Sequence, residues 1–257
     1  MKNKNLFSCA GKVVVVTGGA GLIGAQIVKG FVSSGATVYI ADNNKDKAKK
    51  LLNLPKVKFV YLNILSESSI IEAFEVVRES DKRIDVLVNS AYPRTSDWGN
   101  KFEDIPFASW KTNLDGQLGG YFLCCREAAK YMKRQGGGSI INIGSTYGVV
   151  APDFSIYAGT KMTMPAAYSA IKGGLINFSR YLASYYGKDK IRVNVVSPGG
   201  IFDNQPESFV EKYSKKTILG RMGKPSEMAG AVVFLASEAA SYVTGHNLMV
   251  DGGWTAC

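Results

Sequence analysis

The sequence predicts an α/β protein built on one doubly wound parallel sheet, and three observations predict it. Short β-branched runs alternate with stretches of helical apolar spacing along the chain. A glycine-rich turn separates the first run from the first helix. An aspartate closes the second run, about 20 residues beyond the last of those glycines.

KVVVVTG (12–18) reads as the first strand, and GLIGAQIVKGFVSSG then follows with apolar residues at helical spacing and stops at Gly35. ATVYIAD (36–42), KVKFVYLN (56–63) and RIDVLVNS (83–90) are the next three strands, with helical patterns at 44–53 and 66–80 between them. GSIINIGS (138–145), KIRVNVVSPGG (190–200) and GHNLMVDGG (245–253) make about seven in all. Further helices are expected at 110–134 and 168–187. With no linker, repeat or composition break, residues 1–257 are expected to form a single domain, with a nucleotide-binding half at 11–145. The stretches 91–105, 146–167 and 199–224 resist assignment and each follows a strand, which places them over the carboxyl ends of the sheet where ligands bind.

Composition excludes several classes. No apolar run approaches the roughly 20 residues of a membrane-spanning helix, and MKNKNLFSCAGK has no apolar core of a secretory signal, so a cytoplasmic protein without a membrane partner is expected. Cys9, Cys124, Cys125 and Cys257 lack disulfide or metal spacing and are expected to be reduced thiols. A single histidine, His246, gives no support to a metal site or a serine–histidine triad. The net charge of +10 suits an anionic small molecule or a nucleotide cofactor, and no basic block with interleaved aromatics points to nucleic acid.

TGGAGLIG (17–24) sets Gly19, Gly21 and Gly24 as G-x-G-x-x-G between strand and helix. Together with Gly18, Leu22 and Ile23 they are expected to cradle a pyrophosphate at the helix amino end. Asp42, with Asn43 beside it, is placed to accept hydrogen bonds from an adenosine ribose and to repel a 2′-phosphate, which favours NAD over NADP. A plain turn or cap residue is the alternative for Asp42.

The pattern Tyr-x-x-x-Lys occurs twice, as Tyr157 to Lys161 and Tyr168 to Lys172. An ammonium group held near a tyrosine lowers its hydroxyl pKa, and i, i+4 spacing on a helix puts both on one face. From Tyr168 the residues Ile171, Leu175, Phe178, Leu182 and Tyr185 continue an amphipathic stripe, whereas Pro165 interrupts any helix through Lys161. Tyr157 and Lys161 are therefore expected on a loop. On pattern alone the better reading is that Tyr168 is the first residue of a buried stripe and Lys172 an exposed neighbour, because such pairs arise often by chance.

Taken together, TGGAGLIG, NLDGQLGGYF, INIGSTYG, YSAIK, IRVNVVSPGG, GRMGKPSEMA and YVTGHNLMVDGG resemble the short-chain dehydrogenase/reductase superfamily from about residue 11 to 254. The resemblance implies a Rossmann-type sheet in the order 3-2-1-4-5-6-7 and NAD-dependent alcohol or ketone oxidoreduction. It implies Tyr168 as acid/base, Lys172 lowering its pKa and binding the nicotinamide ribose, Ser145 on the substrate oxygen and Asn113 supporting a relay water. It also implies cofactor contacts from Asn63 and Ile64, from Asn89, Ser90 and Ala91, and from Pro198, Gly199 and Ile201. A homo-oligomer follows, a dimer or tetramer built by helices such as 110–134 and 168–187. Departures stand at Leu22, at NSAY (89–92), at Asn63, and at Asp203 or Asn204.

AYPR, YAGTKMTMPAAYSAIK and SPGGIFDNQPE are most similar to flagellin-modification oxidoreductases, which implies a sugar or sugar-phosphate substrate. Arg94, Tyr147, Lys161 and Asp203 are the substrate candidates, solvent-facing loop charges being the alternative for Arg94 and Lys161. A non-catalytic dinucleotide-binding scaffold and a reductase of a non-sugar ketone are the competing readings.

Overall fold

A computed structural model describes residues 5–256. Its core is a seven-stranded parallel sheet: β1 (Val13–Thr17), β2 (Thr37–Asp42), β3 (Val57–Tyr61), β4 (Val86–Asn89), β5 (Gly138–Ile143), β6 (Ile191–Pro198) and β7 (Asn247–Val250). The order is β3-β2-β1-β4-β5-β6-β7, as the family resemblance implies. Val14 pairs with Val38 on one side and Val86 on the other, so the first strand lies in the middle of the nucleotide-binding half.

The near-continuous apolar strands follow from burial on both faces. Val13 and Val15 point into one core layer with Phe74, Tyr121 and Leu175, while Val14 and Val16 point into the other with Ile27, Phe31 and Val232. The first layer is covered by α3 (Glu67–Asp81), α5 (Gly120–Gln135) and α6 (Ala166–Tyr186), the second by α1 (Leu22–Ser33) and α8 (Glu227–Ala236). No helix among the described residues is long and apolar enough to cross a membrane. Cys9, Cys124 and Cys125 are free and buried, and burial raises each thiol's pKa. Cys257 lies outside the described residues.

Four stretches differ from the sequence reading. The pattern at 44–53 forms only α2 (Lys45–Ala48) and a 3-10 turn at Leu51–Asn53, because Asn44 caps a start and Pro55 soon ends it. The helix expected from 110 begins earlier, as α4 (Phe107–Leu114), and passes through a π turn (Asp115–Gly119) into α5. That turn brings the backbone against the β3 loop: a Cβ at Gly120 would sit 2.5 Å from Ile64 Cγ1. Inside 199–224, α7 (Glu207–Ser214) starts after Pro206 and buries Phe209 and Tyr213, four residues apart on one face. No strand or helix had been read where α8 stands.

Candidate active site

The carboxyl ends of β1, β2, β4, β5 and β6 open into one cleft of about 890 Å³, walled by the three stretches that resisted assignment. At its nucleotide end the glycine turn is compressed. Gly18 adopts φ +63°, and a Cβ there would fall 2.7 Å from Ala91 Cα. At Gly24 a Cβ would fall 2.2 Å from the Gly18 carbonyl, which lets α1 start directly against the turn, with Gly21 as its N-cap. Gly18, Gly21, Leu22, Ile23 and Gly24 line the cleft, whereas Gly19 packs instead against Ile40.

Asp42 stands at the end of β2 and also lines the cleft, with Asn43 beside it. Its carboxylate accepts from Ala20 N at 3.1 Å and Asn44 N at 3.0 Å, so it braces the glycine turn as well as facing the opening. Asn44 and Lys47, not among the expected residues, share this wall. A bare backbone cradle at a helix amino end beside an acid fits a dinucleotide.

At the inner end three expected residues converge. Ser145 follows β5 and caps a 3-10 turn, where its Oγ accepts from Tyr147 N at 3.2 Å. Tyr168 lies in the first turn of α6, which starts behind Pro165. Lys172, one turn on, is 4% exposed and donates from Nζ to the Ile143 carbonyl at 2.7 Å. A Cβ at Gly148 would lie 2.7 Å from the Lys172 backbone, so this glycine lets the Ser145 turn sit flush on α6. Of the two glycines next to Lys172 itself, Gly174 meets Leu118.

Electrostatics qualify the expected roles. Burial pushes the Tyr168 phenol up, the Ser145 hydroxyl bonded to it pulls it back, and the Tyr157 phenol raises it again. Acidification of Tyr168 by Lys172, implied by the resemblance, is not seen in the protein alone. Burial lowers the Lys172 pKa to about 7, and its ammonium is directed at Ile143.

Ile64, Ser90, Ala91, Pro198, Gly199 and Ile201 line the cleft, as do Arg94, Tyr147, Lys161 and Asp203. Besides Gly19, three expected residues do not. Asn89 is buried beneath the sheet's end, donating to Asn142 Oδ1 at 2.9 Å. The Asn63 side chain accepts from Leu65 N at 3.1 Å within its own turn. Asn113 clamps the 91–105 loop to α4: it accepts from Thr95 N at 3.1 Å and donates to Thr95 Oγ1 and the Ser109 carbonyl at 2.9 and 2.8 Å.

Several lining residues were missed. Tyr92 and Trp98 meet Tyr168 edge-on, with centroids 5.8 and 6.4 Å away, and Arg94 lies over the Tyr92 ring at 5.6 Å. Tyr92 sits in NSAY, and that departure was the available signal. Tyr157 is on a loop as expected, yet it is buried and lines the cleft, packed on Phe209 at 5.2 Å. No three His, Cys, Asp or Glu side chains converge on a metal-sized site among the described residues.

Comparison with known proteins agrees with this fold. Residues 18–255 match a family model described as Enoyl-(Acyl carrier protein) reductase. The chain is 34% identical over 250 residues to the post-translational flagellin modification protein A of Campylobacter coli, covering 95% of this chain and 98% of that protein. It is 36% identical over 253 residues to a 3-oxoacyl-acyl-carrier-protein reductase of Aquifex aeolicus, covering 95% and 97%. A short-chain dehydrogenase of Leptospira borgpetersenii solved with bound NAD+ superposes with a TM-score of 0.90 at 36% identity, over 99% of this chain and 97% of that one.

Proposed function

The chain belongs to the short-chain dehydrogenase/reductase family of oxidoreductases, and from that premise we propose an NAD-dependent enzyme that interconverts an alcohol and a ketone on a polar, anionic carbohydrate. The observation that carries this reading is the meeting of Ser145, Tyr168 and Lys172 at the inner end of the nucleotide cleft.

The residues divide the work as follows. Tyr168 takes the proton of the substrate oxygen during oxidation and returns it during reduction. Ser145 holds that oxygen against the phenol, and Tyr92 and Trp98 fix the ring from its edges. Lys172, anchored at Ile143, presents an amine that titrates near neutrality and passes protons on. Asp42 would accept from the adenosine ribose of the cofactor, and the glycine turn would hold its phosphates. Bound NAD supplies the hydride acceptor and, in its oxidised form, a positive charge that favours the phenolate. Asn113 acts by holding the 91–105 loop, with Thr95, beside the cleft.

Arg94 and Lys161 make no ion pair among the described residues and sit on two different loops of the cleft, which supports an anionic substrate. The Campylobacter coli relative supports a place in flagellin modification. A cytoplasmic homo-oligomer, dimer or tetramer, fits the aromatic ladder in which the half-buried Phe178 is flanked by exposed Phe122, Tyr181 and Tyr185. A scaffold protein has no use for a buried lysine amine, so the non-catalytic reading loses ground. Reduction of a non-sugar ketone is the second reading, supported by the Aquifex aeolicus relative and by the apolar wall of Met162, Met164, Phe209 and Met222.

Tyr168→Phe tests the assignment. Turnover should fall about 10²- to 10⁴-fold, while NAD still quenches the intrinsic fluorescence as in the wild type. Full activity in that variant would remove Tyr168 from the chemistry.

A further inference from the structure

The loop tyrosine of the unused Tyr-x-x-x-Lys pair has a place beside the reacting atoms. Tyr147 and Tyr157 both line the inner cleft, and each is 7% exposed. The Tyr147 hydroxyl is buried and meets no group in ordinary hydrogen-bond geometry among the described residues, its one loose partner being the Tyr157 hydroxyl. Its ring meets Trp254 edge-on at 6.4 Å, and the Tyr157 ring packs tilted on Phe209 at 5.2 Å. Their hydroxyls face each other, and Tyr157 also acts on the Tyr168 phenol. Ser145 joins the group from below, bonded both to Tyr168 and to the Tyr147 amide.

A buried hydroxyl without a well-formed hydrogen bond is a poor element of a folded core and a good element of a binding site, because a ligand that supplies the missing bond is selected over one that does not. We infer that Tyr147 and Tyr157 form a hydrogen-bonding subsite beside Tyr168 that takes a hydroxyl carried next to the substrate's reacting carbon, making vicinal diols and α-hydroxy ketones the preferred substrate class. The inference rests on the hydride-transfer reading above and narrows it. A neutral hydroxyl suits this position better than a carboxylate: burial keeps both phenols protonated, and the nearby Asp153 carboxylate acts on both. Arg94 and Lys161, which make no ion pair among the described residues, offer an anionic group its place elsewhere in the cleft.

The test uses the full-length enzyme with NAD and two probes that differ by one hydroxyl, cis-1,2-cyclohexanediol and cyclohexanol. NADH formation is followed in the wild type, Tyr147→Phe and Tyr157→Phe. The wild type should favour the diol by roughly 10- to 100-fold in kcat/KM, and that ratio should collapse towards parity in Tyr147→Phe. Tyr147→Phe removes only a buried hydroxyl loosely partnered by Tyr157, so the fold should be kept, which a thermal melt of the variant reads directly. Equal use of both probes by the wild type, or an unchanged ratio in both variants, would overturn the subsite. If the hydride-transfer reading alone fails, neither probe yields NADH, yet the diol still raises the melting temperature of the NAD-loaded wild type and not of Tyr147→Phe. No turnover and no diol-dependent shift would overturn the inference as well.

Discussion

Replacing Lys172 with methionine should abolish activity and yet stabilise the protein at neutral pH, and the stabilisation should fade as the pH rises. The lysine is 4% exposed, and the Ile143 carbonyl is its hydrogen-bond partner. Burial holds its pKa at about 7, against 10.5 for an ordinary lysine. A gap of that size corresponds to about 5 kcal/mol charged against the protonated form. Between those two values the unfolded chain binds more protons than the native one, so wild-type stability climbs with pH across the window. The penalty is complete below about pH 7 and gone above about 10.5. Methionine has no such titration and a similar unbranched shape. The advantage of the variant should therefore shrink by about 3 kcal/mol between about pH 6 and pH 9. Loss of the bond to Ile143 subtracts about 1–3 kcal/mol from the offset between the two curves. Urea unfolding at several pH values measures the difference, and for a protein of this size 3 kcal/mol is about 6–12 °C in a thermal melt. Parallel stability–pH curves for wild type and variant would refute the argument, because they would mean that the ammonium is not buried at a cost.

Two further outcomes follow from other parts of the molecule. Asp42→Ala should shift the ratio of NAD to NADP affinity by at least about tenfold towards NADP, because a carboxylate near a 2′-phosphate repels it. The same variant loses the acceptor for Ala20 N and Asn44 N, so its stability should fall by about 1–3 kcal/mol; unchanged cofactor preference in a fluorescence titration would count against Asp42 as the discriminating group. Tyr181→Arg places a charge in the exposed aromatic ladder on α6, where Tyr181 stacks on Tyr185 at 5.8 Å. Light scattering should then report a smaller assembly than the wild type, and an identical mass would place the subunit contact elsewhere.

Most strands were legible because they are β-branched runs, the clearest being the first, where Val13 and Val15 enter one core layer and Val14 and Val16 the other. The glycine turn was legible because part of its steric demand is local: a Cβ at Gly24 meets the backbone of Gly18 and Gly19, whereas one at Gly18 meets Ala91 beyond the neighbouring strand. The long helix from Tyr168 announced itself through its apolar stripe and the proline before it. The helix at 207–214 was missed because only Phe209 and Tyr213 mark its buried face, and two residues make no period.

What the sequence by itself determined, then, is the order and type of the strands, the phosphate turn, and the identity of the serine, tyrosine and lysine that meet. The strands and the phosphate turn are written in short-range spacing, whereas the serine, tyrosine and lysine were singled out by their resemblance to the short-chain dehydrogenase/reductase motifs. Only the tertiary structure decided which polar side chains face the cleft. Asn89 is turned to Asn142, and Asn113 to Thr95, by partners 53 and 18 residues away in the chain. It also decided that Lys172 sits nearly sealed from water, that Tyr92 and Trp98 frame the reacting phenol, and that Tyr157 stands beside it. Hydrogen-bond partners and desolvation depend on what the fold brings together across the sheet, and no spacing along one strand or helix encodes that.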